Sequence, residues 1–204
     1  MLVRLATGAL LAYSLSAAPV LLGPMLPRHH RPTSQPHIEE RPSGEAWFRQ
    51  IRGRCNPLEV AVALRERPPP SDISGLGYAA ACWGLAGKLD QARAVITKES
   101  GERQASAADT VFNVAHPVAD QGDDVAAGPL MELVLEFRPE NFQALYHAGM
   151  SEYALGKNDQ AKARLIEFRR LYKAKDFFGN NADRALARIE QGLPPDTASP
   201  GAHE

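Results

Sequence analysis

Four glycines that recur at a nearly constant spacing constrain the fold of this 204-residue chain more than any other feature. Gly53, Gly87, Gly122 and Gly156 follow one another at steps of 34, 35 and 34 residues. The eight residues GKLDQARA, which begin at Gly87, match GKNDQAKA, which begin at Gly156, at six positions. A period of this length is typical of arrays in which each unit is one supersecondary structure and neighbouring units share a core.

The residues around these glycines predict two helices in each unit. Glycine adopts at little cost the left-handed conformation that ends many helices, and an aspartate follows within three residues, where the next helix N-terminus favours negative charge. Alanine, the best helix former, is abundant between residues 79 and 187, and no alternating apolar runs are joined by a hairpin turn. An all-α fold is therefore predicted. The recurring positions are Asp90, Asp124 and Asp159, then Ala92, Ala127 and Ala161, then Ile96, Met131 and Leu165.

This pattern resembles the tetratricopeptide repeat, a helix–turn–helix unit of 34 residues. The resemblance runs from residue 39 to about residue 175 and includes the repeat-closing prolines Pro70 and Pro139. It implies a short helical-hairpin repeat solenoid of about three to four units plus a capping helix, which occupies residues 45–193.

Three details depart from the regular repeat or complete it. The first unit, at Gly53, is degenerate, and Pro117 predicts that the first helix of the third unit kinks or ends early. A capping helix is expected at about residues 181–191, with Asn181 as its N-cap, where it would cover the apolar surface of the last unit.

The N-terminal segment brings the chain to a membrane. Residues 5–27 contain no charged side chain and are long enough for the roughly 20 residues that span a bilayer. A cleaved signal peptide is the alternative, although Pro19 follows the small residues at which cleavage is expected. We therefore expect residues 1–27 to be a hydrophobic anchor helix or a signal peptide, and the repeat domain to be extracytoplasmic, for example periplasmic.

Two further segments are poor in apolar residues. Residues 28–44 are rich in proline and charge, which predicts a flexible linker, and residues 194–204 are expected to form a disordered tail. The linker histidines His29, His30 and His37 are interpreted as solvated side chains and not as a metal site.

The resemblance also bears on the two cysteines, Cys55 and Cys82. It places Cys55 at the start of one helix and Cys82 late in the next, and these positions meet when the helices pack antiparallel. A disulfide would close a loop of about 27 residues and stabilise the fold by about 3 kcal/mol. Two buried free thiols are the equally weighted alternative.

Tetratricopeptide arrays hold protein segments on the concave face that their first helices line. Aromatic and methionine side chains on such a surface are typical anchors of interfaces. In the family register, the partner-binding residues expected here are Trp47, Gln50, Phe112, His116, Asp120, Gln143, Tyr146, Met150 and Tyr153.

Other classes of function find little support in the residues. No G-x-S-x-G, H-E-x-x-H or P-loop motif occurs, and the acidic run Asp123, Asp124, Glu132 and Glu136 is interpreted as a solvated helix face. The net charge of −1 is spread along the chain, so no basic stripe favours nucleic acid. We expect no catalysis, no cofactor, no metal and no nucleic-acid partner.

The function expected is that of a non-catalytic protein–protein interaction module, membrane-anchored or exported, which acts as an adaptor or assembly factor. Its partner would be another protein or a peptide segment. Two alternatives stay open. The chain could be a permanent accessory or structural subunit of a larger membrane complex, or it could bind a small ligand in the groove.

Overall fold

The structure, a computed structural model, describes residues 42–196, and all regular secondary structure in this range is helical. The segment 1–27, the linker up to residue 41 and the tail after residue 196 lie outside the described residues. Within residues 42–196, no helix combines the length and the apolar character that a membrane crossing requires.

Nine α-helices follow one another in the described range. Short connections join α3 to α4, α5 to α6 and α7 to α8, so that each of these pairs packs as a unit, and α9 packs on the last of them. The bounds are α1 Gly44–Ile51, which continues into a 3-10 helix at Arg52–Arg54, α2 Val60–Glu66, α3 Ile73–Leu85, α4 Leu89–Ile96, α5 Gly101–Asp120, α6 Asp124–Phe137, α7 Phe142–Ala154, α8 Asn158–Leu171 and α9 Phe177–Glu190.

Three of the four periodic glycines end a helix in the same way. Gly87, Gly122 and Gly156 have φ angles of 69°, 87° and 73°. In each turn the glycine N–H donates to the carbonyl three residues earlier, and the next N–H donates to the carbonyl five residues earlier. These two bonds pair carbonyls that the end of a helix would leave unsatisfied. The expected turns are therefore present in three successive units.

A further glycine repeats this geometry at the end of α9. Gly192 has a φ of 67°, and the N–H groups of Gly192 and Leu193 donate to Ile189 and Arg188 respectively. Gly192 lies 36 residues after Gly156 and so continues the glycine period by one further step, which was not predicted from the sequence.

The first periodic glycine differs from the others. Gly53 is not among the residues with positive φ, because the chain passes there through the 3-10 helix and then to Cys55. Helix α2 begins at Val60, so Cys55 lies in the loop before it and not at a helix start as expected.

The structure excludes an early end of α5, one of the two outcomes expected at Pro117, and corrects the expected start of the capping helix. Helix α5 does not end early at Pro117 but continues to Asp120. Because proline has no N–H, the carbonyl of Asn113 loses its helical hydrogen bond, and Asn113 is an exposed residue. Helix α9 begins at Phe177 with Asp176 as its N-cap, since the Asp176 carboxylate accepts the Gly179 N–H at 3.1 Å. Asn181 therefore lies inside this helix.

The core is formed where the repeated positions meet. The alanines Ala92, Ala127 and Ala161 are buried, and the larger residues four positions later are fully buried as well. Glycines on the helices allow close approach: a Cβ at Gly77 of α3 would lie 2.5 Å from the Thr110 Cβ of α5. Packing at this density leaves little room for a larger side chain.

A disulfide joins the first helices to α3. The Sγ atoms of Cys55 and Cys82 are 2.05 Å apart, with their Cα atoms at 4.8 Å, and these are the two cysteines of the chain. The bridge links residues 27 positions apart and holds the loop before α2, the most irregular part of the described range, against the α3 helix.

Removal of this disulfide is expected to destabilise the protein. In the double variant Cys55→Ala/Cys82→Ala, the unfolded chain regains the freedom that the cross-link removes, which lowers the free energy of unfolding by about 3 kcal/mol. Urea unfolding of the oxidised protein and the variant measures the difference. Alkylation of the denatured, unreduced protein should modify no cysteine, and modification of both would contradict the bridge.

Candidate partner-binding face and its histidine pair

Three of the residues expected to line a groove belong instead to the core. Trp47, Tyr146 and Tyr153 are 4%, 5% and 2% exposed. Each uses its polar atom inside the protein. Trp47 Nε1 donates to the Arg67 carbonyl at 3.0 Å, Tyr146 Oη accepts from Asn181 Nδ2 at 2.7 Å, and Tyr153 Oη donates to the Leu193 carbonyl at 2.9 Å.

These bonds give the three aromatic residues a structural role. They tie α1 to the end of α2, and α7 to α9 and the segment that follows it. Burial raises the pKa of Tyr146 to about 12, so that its hydroxyl stays protonated near neutral pH. In this conformation a partner protein does not reach these side chains.

The remaining predicted residues are accessible to different degrees. Gln50 is exposed and accepts a hydrogen bond from Arg67 Nη1 at 2.9 Å, at the α1 end of the chain. Met150 is half-buried on α7. Phe112, His116, Asp120 and Gln143 are also half-buried, and the structure brings these four together on two helices.

We name this surface the α5–α7 face and define it by Phe112, His116 and Asp120 of α5 and by Gln143 and Met150 of α7. The α5 residues are spaced four apart and so lie along one side of the helix. The rings of Phe112 and His116 stack with their centroids 4.7 Å apart. Gln143 Nε2 lies 3.4 Å from His116 Nε2, which joins the two helices at the centre of the face.

Sequence reasoning missed a second histidine beneath this face. His147 of α7 is 3% exposed, and its Nδ1 lies 2.8 Å from Asp124 Oδ1 at the start of α6. Its Nε2 is 3.6 Å from Asp120 Oδ1, and its ring meets that of His116 edge to face at 5.2 Å. The expected register places Tyr146 in the groove, one position before His147, and Asp124 was interpreted as a helix-start charge and as part of a solvated acidic face.

The glycine turn between α5 and α6 positions both carboxylates. Gly122 closes the turn with a left-handed backbone, which places Asp120 in the last turn of α5 and Asp124 in the first turn of α6. The Asp123 carboxylate accepts the Ala126 N–H at 3.0 Å and so caps α6. Asp120 and Asp124 therefore remain free to face His147.

The two histidines differ in their surroundings. Burial lowers the pKa of His116 below its ordinary value, the Asp120 carboxylate opposes this shift, and the neighbouring His147 adds to it. His147 is the more deeply buried of the two and has a carboxylate close to each ring nitrogen. His116 is thus partly accessible to solvent, whereas His147 is buried.

A cavity lies beside the α5–α7 face. It has a volume of about 550 Å³, is lined by residues 137–143 at the connection of α6 and α7, and includes Gln143 of the face. Arg138, which also lines it, donates to the Asp109 carboxylate of α5 at 2.9 Å. Gln143 thus belongs both to the lining of the cavity and to the α5–α7 face.

Glu152 is a buried carboxylate on the same helix. It is 3% exposed; Oε1 lies 3.7 Å from Arg164 Nε, and Oε2 has no hydrogen-bond partner among the described residues. Burial raises the pKa of Glu152 above its ordinary value, Arg164 opposes the shift and Glu132 adds to it. A buried carboxylate with an unpaired oxygen is expected to be unfavourable for stability when it is charged.

Comparison of the chain with protein-family models, with curated proteins and with solved structures gives no match.

Replacement of Glu152 by methionine, a side chain of similar size, is expected to stabilise the protein at neutral pH by about 1 kcal/mol, because it removes a buried carboxylate of which one oxygen has no hydrogen-bond partner among the described residues. The folded-state pKa of Glu152 is raised, so the penalty is absent below the unfolded pKa, grows between the unfolded and the folded pKa, and is complete above the folded pKa. Urea unfolding of both proteins at pH 7 and pH 4 measures the effect.

The exposed Glu140 provides the matched control. Glu140→Met should change the free energy of unfolding by less than about 0.5 kcal/mol at both pH values. A Glu152→Met variant less stable than the parent at pH 7 would contradict the expected penalty.

Proposed function

We propose that this chain is a non-catalytic protein-interaction module, built as a short helical-hairpin repeat array of the tetratricopeptide type. Residues 1–27 attach it to a membrane or direct its export, and the array binds a segment of another protein on the α5–α7 face. The observation that carries this proposal is the meeting of Phe112, His116 and Gln143 on two first helices of neighbouring pairs.

The repeated turn geometry supports the array. The same two backbone hydrogen bonds follow α3, α5 and α7, at glycines 35 and 34 residues apart. The alanine and the larger apolar residue that follow each glycine are buried in all three units. Both properties are expected when each unit packs against its neighbour in an equivalent manner.

The chemistry of the α5–α7 face supports a protein partner. Phe112 and Met150 are half-buried, so each leaves apolar surface that a partner side chain can cover. Gln143 and Asp120 supply hydrogen bonding and negative charge at the same face, and the cavity beside Gln143 has room for a bulky side chain. The partner segment suited to this surface carries an apolar anchor next to a basic group.

The disulfide supports an extracytoplasmic location. Disulfides persist in oxidising compartments and are rare in the cytosol. The Cys55–Cys82 bridge is therefore consistent with export or anchoring by the hydrophobic segment 1–27, with the repeat domain outside the cytoplasm. N-terminal sequencing of the mature protein distinguishes a cleaved signal from an anchor that is retained.

Affinity capture from mild detergent tests the binding face. The tagged full chain and the double variant Phe112→Ala/Met150→Ala are purified in parallel, and co-purifying proteins are quantified by mass spectrometry. The variant should lose its partner by at least about tenfold, because truncated interface anchors cost more than about 1 kcal/mol each. Thermal unfolding verifies that the variant is folded.

The control variant truncates an apolar side chain elsewhere. Ile166 of α8 is 52% exposed, and Ile166→Ala should capture the same partner as the parent protein. Equal capture by the double variant would contradict binding at the α5–α7 face. A partner that remains in stoichiometric amount throughout purification would favour the permanent-subunit alternative over an adaptor.

A further inference from the structure

Three potential metal ligands converge at the end of α5. His116 and Asp120 are four residues apart on this helix, and His147 reaches them from α7. Asp120 Oδ1 lies 3.5 Å from His116 Nε2 and 3.6 Å from His147 Nε2, and one ligand atom from each residue lies within 4.8 Å of the others. Ligands at about 2.0–2.1 Å from a tetrahedral Zn²⁺ are about 3.4 Å apart. Two of the three separations are thus already close to those of a zinc site.

The hydrogen bonds around the histidines indicate which ring nitrogens carry a lone pair. A carboxylate accepts and does not donate, so Asp124 accepts the proton of His147 Nδ1 at 2.8 Å. The Gln143 amide nitrogen donates and therefore requires His116 Nε2 as its acceptor, at 3.4 Å. The lone pair of His147 Nε2 is consequently available on the side of Asp120, and that of His116 Nε2 becomes available when an ion displaces the long contact with Gln143.

The contact between His147 and Asp124 has the form of a second coordination shell. A histidine that binds a metal commonly donates its other ring N–H to a carboxylate, which orients the ring and increases its basicity as a ligand. His147 is held in this way and is 3% exposed, so its orientation is set before any ion arrives.

The charges at this position also favour a cation. Asp120 and Asp124 lie on either side of His147, and neither forms an ion pair with a lysine or arginine within residues 42–196. A positive charge close to both nitrogens and to the Asp120 oxygen would stabilise this arrangement electrostatically. A divalent ion would balance the two carboxylates.

We propose that His116, Asp120 and His147 bind a Zn²⁺ ion, with Asp124 as the positioning residue behind His147. Two imidazoles and one carboxylate form a ligand set typical of zinc sites with an open position. The Asp120 side chain is 43% exposed and that of His116 is 23% exposed, so the ion enters from solvent and its fourth position faces outward. Water or a donor atom from a bound protein takes that position.

Zinc titration of the full chain in mild detergent tests the site. All samples carry glutamine in place of His29, His30, His37 and His203, which removes the histidines of the linker and tail. After treatment with a chelator, Zn²⁺ is added in competition with a chromophoric chelator. One Zn²⁺ per chain should bind, and Mg²⁺, which prefers oxygen ligands, should not compete. Co²⁺ at the site should give the visible absorption of a four-coordinate complex.

Variants assign the ligands. His116→Ala and Asp120→Ala should abolish stoichiometric Zn²⁺ binding, and both positions are accessible enough for the fold to survive, as circular dichroism verifies. Asp124→Asn should weaken Zn²⁺ by about 10–100-fold and alter the Co²⁺ spectrum, as expected for an outer-shell partner. Asp123→Asn, which keeps a capping side chain, should bind as the parent does.

The proposal would be overturned by either of two results. One is the absence of one-to-one Zn²⁺ binding in the parent protein with the linker and tail histidines replaced. The other is binding that persists unchanged in His116→Ala and Asp120→Ala. Neither Phe112 nor Met150 offers a ligand atom to the ion, so failure of partner capture and failure of zinc binding are separate outcomes.

Discussion

The close approach of neighbouring helices at small residues is the constraint on which the rest of this structure depends. A Cβ at Gly128 of α6 would lie 2.5 Å from the Ser151 Cβ of α7, and a Cβ at Gly149 would lie 2.9 Å from the Leu165 side chain of α8. Such contacts leave α7 enclosed, with residues 144–149 and 151–153 all buried. The small residues at these contacts therefore allow α7 to pack close to both of its neighbours.

The enclosed α7 helix explains the character of the α5–α7 face. Because α7 is held close to α6, His147 lies within hydrogen-bonding distance of Asp124, and the Gly122 turn places Asp120 on the opposite side of the same ring. His147 is buried between the carboxylates of Asp120 and Asp124, and electrostatic interactions between such groups are stronger in a protein interior than in water. The proposed partner-binding surface and the proposed metal site share this location, and both depend on the same packing.

The features that a local pattern dictates were predictable from the sequence. The turns at Gly87 and Gly156 and the buried alanines that follow these glycines were predictable because each depends on only a few neighbouring residues. The groove register failed at Tyr146 because a helix buried on nearly all sides has no polar face from which its orientation can be inferred. The start of α9 was misplaced since Asp176 and Asn181 are both good N-caps, and only the packing of α9 on Tyr146 distinguishes them.

Substitution of Gly128 by alanine tests the central claim most directly, since it adds one methyl group at the α6–α7 contact. Gly53→Ala is the control, because a Cβ at Gly53 meets no atom within 4 Å. Urea unfolding should show that Gly128→Ala lowers the free energy of unfolding by about 1–3 kcal/mol, as overpacking does, whereas Gly53→Ala leaves it unchanged or slightly higher. Equal stability of the two variants would contradict the close packing of α6 and α7 from which the site is built.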